Sequence, residues 1–302
     1  MQKVSFGSLW GAATIPTKSL KNGFTIPVYG LGTWHIGGSW EQAPQTQDAP
    51  DIWAVRDAID TRGITHIDTA EIYGNGNTER LIGQALKGRD RSRLFLSSKV
   101  YDSHLSYDGI IEACKGSLER LMTDYLDLYL IHKFSPDFSL KESMRALNTL
   151  VEEGIVRNIG VSNFGAAHLE EAQSYSRYPI VCDQVHYNLE FREPERAGLL
   201  EYCQSNDIIL IAYRAVQKGA FSEHPPTILM EMAQKYGKTP SQIALNWLIS
   251  QNNVVAISKT KSLKHLDENL GALGWNMEEK DVEKLRVEYP DQKDISNSVP
   301  LG

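Results

Sequence analysis

The chain predicts an α/β fold: a closed (β/α)8 barrel of the TIM-barrel kind, with an N-terminal β-hairpin and two additional helices. Three observations point there. From about residue 60 onward, short apolar or β-branched runs alternate with longer segments of helical period. Strand-then-helix units repeated in one order require parallel pairing, because parallel neighbours need a crossover connection. Eight such units can be counted, the number that closes a parallel sheet on itself. An open doubly wound sheet is the competing arrangement, but no GxGxxG run opens the first unit.

The first element in chain order is a hairpin over 18–26. Asn22-Gly23 between two short runs signals a type I′ turn, placed to cap one barrel end. The first barrel strand is expected at 28–32. Residues 35–50, rich in Gly, Gln and Pro, read as a long loop. A helix over 52–62 carries Ile52, Val55, Ala58 and Ile59 on one stripe. Strand 64–67 follows, then a helix over 78–86 that opens on Thr78 as its cap. The alternation continues with strand 94–98, helix 107–121, strand 126–131 and helix 140–153, which Gly154 stops. Strand 156–161, helix 166–176, strand 181–186, helix 195–206, strand 208–212, strand 254–257 and helix 263–270 complete the set. Helices over 241–249 and 278–286 stand outside the eightfold count. One domain spans 1–302, with the barrel over about 28–272 and a tail over 288–302.

Bulk properties exclude several classes. With 41% hydrophobic and 23% charged residues the chain is ordinary for a soluble globular protein. A net charge of −7 argues against a non-specific nucleic-acid binder. Three scattered cysteines without CxxC spacing argue against a disulfide framework and fit a reducing compartment, the cytoplasm. Residues 1–8 lack the basic-then-apolar pattern of a leader. No apolar run approaches the ~20 residues of a membrane span. No metal-ligand cluster is read. The sequence sets no oligomeric state, and a monomer satisfies it.

Residues that close barrel strands at their C-terminal ends face the site of such a fold. Here they are Asp68, Lys99, His132, Ser162-Asn163, Gln184 and Tyr213, polar or aromatic on six successive strands. Tyr73 follows Asp68 by five positions on the next loop. A tyrosine with a pKa of about 10 is a reluctant acid near pH 7. A lysine beside it favours the phenolate and is expected to lower that pKa, and a buried lysine needs a carboxylate such as Asp68. His132 can hydrogen-bond a carbonyl oxygen. This set suits protonating an oxygen that turns negative during reaction. Carbonyl reduction by hydride has that demand, and it requires a nicotinamide or a flavin.

These residues resemble the aldo-keto reductase family along most of the chain, from about residue 20 to 269. Ile67-Asp-Thr-Ala-Glu-Ile-Tyr-Gly-Asn75, Ser98-Lys99-Val100, Leu130-Ile-His132 and Gly154-Ile-Val-Arg-Asn-Ile-Gly-Val-Ser-Asn-Phe164 carry the resemblance. It implies a catalytic tetrad of Asp68, Tyr73, Lys99 and His132, with Tyr73 as the acid. It also implies NADPH lying extended across the mouth, with NADH as a second possibility. Ser162, Asn163 and Gln184 would hold the nicotinamide carboxamide, and Tyr213 would stack on the ring. Gly32, Thr33, Trp34 and Asp68 would sit beside them.

Lys259, Thr260, Glu268 and Asn269 match the segment for the 2′-phosphate and adenine. There His265 stands where most members have arginine, with Lys261 or Lys264 to compensate. Arg214 also departs from the family pattern, and it is expected to reach the pyrophosphate or the substrate entrance. Trp34, Tyr73, Tyr101 and His132 are expected to bind the aldehyde or ketone. His35, Trp40 and Phe134 are further candidates for the lining, and the tail after Pro290 is expected to close only weakly over the site. Two other readings compete. One is a non-enzymatic NADPH-sensing regulatory subunit. The other is a barrel enzyme of a different class, which would need a metal cluster or a phosphate-binding glycine loop.

Overall fold

In the computed structural model, which describes residues 15–302, eight parallel strands close into a barrel. The reading of residues 1–8 lies outside the described residues. A hairpin comes first, β1 (Thr17–Ser19) and β2 (Thr25–Pro27). The barrel strands are β3 (Tyr29–Gly32), β4 (His66–Asp68), β5 (Phe95–Val100), β6 (Leu128–Ile131), β7 (Ile159–Ser162), β8 (Ile180–His186), β9 (Ile209–Tyr213) and β10 (Val254–Lys259). The sheet closes where Gly32 of β3 pairs with Lys259 of β10 on one side and Asp68 of β4 on the other. That register brings the C-terminal ends of the strands to one rim.

The helices are α1 (Asp48–Asp60), α2 (Asn77–Leu86), α3 (Tyr107–Leu121), α4 (Leu140–Glu152) and α5 (Ala166–Tyr175). They continue with α6 (Glu193–Arg196), α7 (Leu199–Ser205), α8 (Ala220–Glu223) and α9 (Thr227–Tyr236). The last three are α10 (Pro240–Ser250), α11 (Leu263–Leu270) and α12 (Glu279–Glu288). None of the described helices is long and apolar enough to cross a membrane.

Four local expectations change. The hairpin turn is not type I′. Gly23 has φ +91° but Asn22 does not enter the left-handed region, and Gly23 N–H donates to Leu20 O across a longer turn. Thr78 does not cap α2. Its hydroxyl bonds Ile36 O, while Gly76, at φ +82°, holds the cap position. The helix expected over 195–206 breaks into α6 and α7 at Gly198, φ +73°. Helix α9 was not anticipated. It packs outward against α10 and α12, while α10 itself lies on β10 as the crossover helix.

The hairpin does stop one barrel end. Leu20, Phe24 and Ile26 pack into the barrel interior against Leu128, Leu130 and Ile209. Lys18 Nζ fastens it by donating to Ile249 O at 2.8 Å and Val254 O at 2.7 Å. Just above that plug the interior is crowded. A Cβ on Gly30 would stand 2.4 Å from His66 Nδ1, so the first strand needs glycine there.

Candidate active site

At the opposite rim, β4 ends in Asp68 and β5 carries Lys99 one residue before its end. Lys99 Nζ donates to Asp68 Oδ2 at 2.7 Å and to Thr69 O at 2.7 Å, and both charged side chains are out of water. Asp68 Oδ1 accepts from Ser97 Oγ at 3.0 Å and Gln184 Nε2 at 2.9 Å. A buried carboxylate is tolerable only when its oxygens are satisfied in this way. Lys99 Nζ also stands 5.5 Å from the centre of the Tyr73 ring.

Tyr73 is presented by a turn in which Gly74, Asn75 and Gly76 all have positive φ. Gly74 cannot carry a side chain, since a Cβ there would meet Gly37 O at 2.8 Å. The Tyr73 ring lies edge-on to Trp34, with centroids 4.8 Å apart, and to His132 at 5.7 Å. Tyr101 meets His132 at 6.0 Å, and Trp40 meets Trp34 at 4.9 Å. Trp34, Tyr101 and His132 therefore stand around Tyr73.

Electrostatics differ from expectation at Tyr73. Burial, and then the Asp68 charge, push the phenol above its ordinary value. The expected lowering by Lys99 does not prevail, because burial of the phenol is the larger effect. The phenol is thus a neutral proton carrier near pH 7. His132 is pushed down to about 3 by burial and by the Lys99 charge, so its imidazole is neutral. Its Nδ1 has no hydrogen-bond partner among the described residues.

Next to this group the ends of β7, β8 and β9 are tied together. Ser162 Oγ donates to Gln184 O at 2.7 Å. Asn163, at φ +60°, donates from Nδ2 to His132 O at 3.0 Å and accepts from Tyr213 Oη at 2.9 Å.

A model of the Aldo/keto reductase family matches residues 29–287. The chain belongs to this family. A methylglyoxal reductase of Escherichia coli (strain K12) is 34% identical over 273 residues, covering 89% of this chain and 93% of the relative. A glyoxal reductase of Bacillus subtilis (strain 168) is 33% identical over 279 residues, covering 92% and 94%. Among solved structures, the thermostable aldo-keto reductase Tm1743 in complex with the inhibitor epalrestat superposes with a TM-score of 0.86 at 46% identity, covering 90% of this chain and 98% of that one. An aldo/keto reductase of Klebsiella pneumoniae in complex with NADP and acetate gives 0.81 at 32%, covering 96% and 100%.

The remaining expected residues of this aldo/keto reductase spread along the rim. Thr33 folds back on Asp68, its N–H at 3.0 Å and its hydroxyl at 2.8 Å from Asp68 O. Lys259 ends β10 with an exposed side chain, and burial of its surroundings and neighbouring Lys261 lower its pKa. An anion would offset the repulsion from Lys261, so Lys259 fits a phosphate group there. Lys261 is engaged by buried Asp51 at 2.8 Å, and Asp51 also accepts from Gly37 N–H at 2.6 Å. Thr260 and Ser262 bond one another, and Ser262 caps α11 through His265 N–H. His265 is exposed, Glu268 half-buried and Asn269 buried, with Asn269 Nδ2 turned inward to Tyr29 Oη and Ser258 Oγ.

Arg214, at φ +55°, reaches Asn297 of the tail at 3.0 Å. The tail is held firmly rather than weakly. Glu193 accepts from Ser296 N–H at 2.8 Å and Leu301 N–H at 3.2 Å, and Gly165 N–H donates to Gly302 O at 2.7 Å. Phe134, expected in the pocket wall, stacks on His168 of α5 at 4.0 Å, close to Gly302. His35 is exposed beside Trp34.

Three residues that sequence reading passed over support the site. Ser97 precedes Lys99 by two positions and so shares its strand face, a signal the pleat offers. His186 stacks on Tyr213 at 5.6 Å and on Phe191 at 4.3 Å. Glu71 joins two rim loops, and its contacts show only in three dimensions.

Proposed function

We propose that the barrel mouth reduces small aldehydes and ketones to alcohols, with Tyr73 donating the proton. Membership of the aldo/keto reductases makes the protein an oxidoreductase, and NADP(H) is its cofactor. One observation carries the assignment of roles: a neutral, buried phenol beside a Lys99–Asp68 pair, edge-on to a neutral histidine. When bound, the reduced nicotinamide supplies the hydride. His132 offers its imidazole to the carbonyl oxygen and orients it toward Tyr73. As that oxygen becomes negative, the Tyr73 proton passes to it, and Lys99 stabilises the phenolate left behind. Asp68 holds Lys99, and Thr33, Ser97 and Gln184 hold Asp68.

Ser162, Asn163 and Gln184 would hold the nicotinamide carboxamide, with Tyr213 offering a ring face. Gly32 leaves room at the rim beside Trp34. Lys259 and Thr260 suit the 2′-phosphate, with His265, Glu268 and Asn269 around the adenine and Arg214 toward the entrance. Trp34, Trp40 and Tyr101 form an apolar wall suited to compact carbonyl compounds. The reductase names of the relatives favour catalysis over a cofactor-sensing role and make methylglyoxal and glyoxal the first substrates to try. Three buried free cysteines suit a reducing compartment, and we place the protein in the cytoplasm. The deciding experiment follows NADPH consumption against methylglyoxal, glyoxal, aromatic aldehydes and ketones, repeated with NADH. Absence of carbonyl-dependent oxidation across that panel would overturn the reading.

A further inference from the structure

We propose that Glu71 is a positioning residue for Tyr101, and that the two together set the preference of the pocket for ring-bearing aldehydes over short dicarbonyls. This rests on reading the mouth as a carbonyl-reducing site. Glu71 sits between Asp68 and Tyr73 on the loop after β4. Its own N–H donates to Lys99 O at 3.2 Å. Its carboxylate Oε1 accepts from Tyr101 N–H at 2.6 Å and lies 3.0 Å from His104 Nδ1. One residue thereby grips the chain on both sides of Val100, at Lys99 and at Tyr101.

Glu71 exposes 10% of its side chain against 55% for His104, so the clip is sheltered on the Glu71 side. A sheltered carboxylate needs donors, and a bond from a backbone N–H to a charged acceptor is among the stronger hydrogen bonds. His104 N–H also donates to Tyr101 O at 3.0 Å, which closes the segment into one turn. Glu71 therefore anchors a whole turn rather than a single amide.

The Tyr101 ring stands edge-on to His132, at 6.0 Å, and to Trp40, at 6.4 Å. Its phenol makes no hydrogen bond among the described residues. With no hydrogen bond to fix the ring at its tip, its place follows its main chain, which Glu71 holds. Tyr101 and Tyr73 each stand edge-on to the His132 ring, at 6.0 and 5.7 Å. A short dicarbonyl engaged by Tyr73 and His132 does not need that wall, whereas an aromatic body extending outward rests on it.

The test compares Glu71→Leu, Glu71→Gln and His104→Ala with the wild-type enzyme, using benzaldehyde and methylglyoxal. Glu71→Leu is expected to raise KM for benzaldehyde about tenfold, the scale of one lost charged hydrogen bond, and to leave KM for methylglyoxal, kcat and NADPH affinity within about twofold. Glu71→Gln keeps an acceptor for the Tyr101 amide and should restore most of the difference. His104→Ala should fall between. Hydrogen exchange at the Tyr101 amide should accelerate in Glu71→Leu and not in Glu71→Gln. Equal KM changes for both aldehydes, or a fall in kcat and NADPH affinity together, would mean a general structural role and overturn the proposal. Unchanged exchange at Tyr101 would overturn it whether or not aldehydes are turned over. Failure of the wild-type enzyme to oxidise NADPH would instead count against the function itself.

Discussion

Lys99 and Asp68 form an ion pair at 2.7 Å with 0% and 2% of their side chains exposed. Such a pair is costly to break on one side, because the survivor stays buried and charged. Lys99→Met should therefore abolish turnover and also destabilise the fold by roughly 3–5 kcal/mol. The double variant Lys99→Met/Asp68→Asn should recover much of the stability and none of the activity. Equilibrium urea unfolding beside NADPH-linked assays separates the two effects.

Tyr73→Phe removes the proton and almost no volume. Turnover should fall about 10²–10⁴-fold, the range for losing one general acid. NADPH affinity by fluorescence titration and the melting temperature should stay at wild-type values. Full turnover in the variant would take the acid role away from Tyr73.

Acid should weaken the fold before it damages any carboxylate network. Burial holds His132 at about 3 and His66 and His186 at about 4. All three are depressed below the ordinary histidine value, so the unfolded chain takes up protons that the native chain refuses. Their contribution is present above about pH 6.5 and is lost as pH falls toward 4. Each can add up to ~1.4 kcal/mol per pH unit to the slope in that window. His186→Gln should flatten the pH dependence of the unfolding midpoint between pH 6 and 4.

Gly30→Ala places a methyl group 2.4 Å from His66 Nδ1 and 2.7 Å from its Cγ. A loss of about 1–3 kcal/mol is expected for overpacking there. His66→Ala in the same chain should relieve the crowding, which thermal melts of the single and double variants would show.

Lys259→Ala should separate the two dinucleotides. Loss of a charged contact to the 2′-phosphate is worth about 1.5–3 kcal/mol, so NADPH affinity should fall roughly tenfold or more. NADH affinity should move little. A parallel loss for both would place Lys259 away from that phosphate.

The barrel was legible because strand ends and helical stripes repeat. Asp68, Lys99, His132, Ser162, Gln184 and Tyr213 could be placed on one rim by counting strands alone. Side-chain charge was harder. The phenol of Tyr73 rises because burial and the Asp68 charge outweigh the nearby lysine, a balance of distances that no spacing encodes. Helix α9 carries Ile228, Leu229 and Met232 at helical spacing, a legible signal left out of the strand-then-helix count, whereas the break at Gly198 turns on a single left-handed glycine. The grip of Glu193 on the tail and of Glu71 on Tyr101 joins residues far apart in the chain, where local pattern carries no information.

The hairpin that fills the floor of the barrel makes it a cup with a single doorway. Whatever the enzyme holds must come and go past the same rim. A long dinucleotide lying across that rim would share its exit with the carbonyl compound. The order in which the two arrive, and which of them leaves last, is then a matter of traffic at one opening rather than of affinity alone.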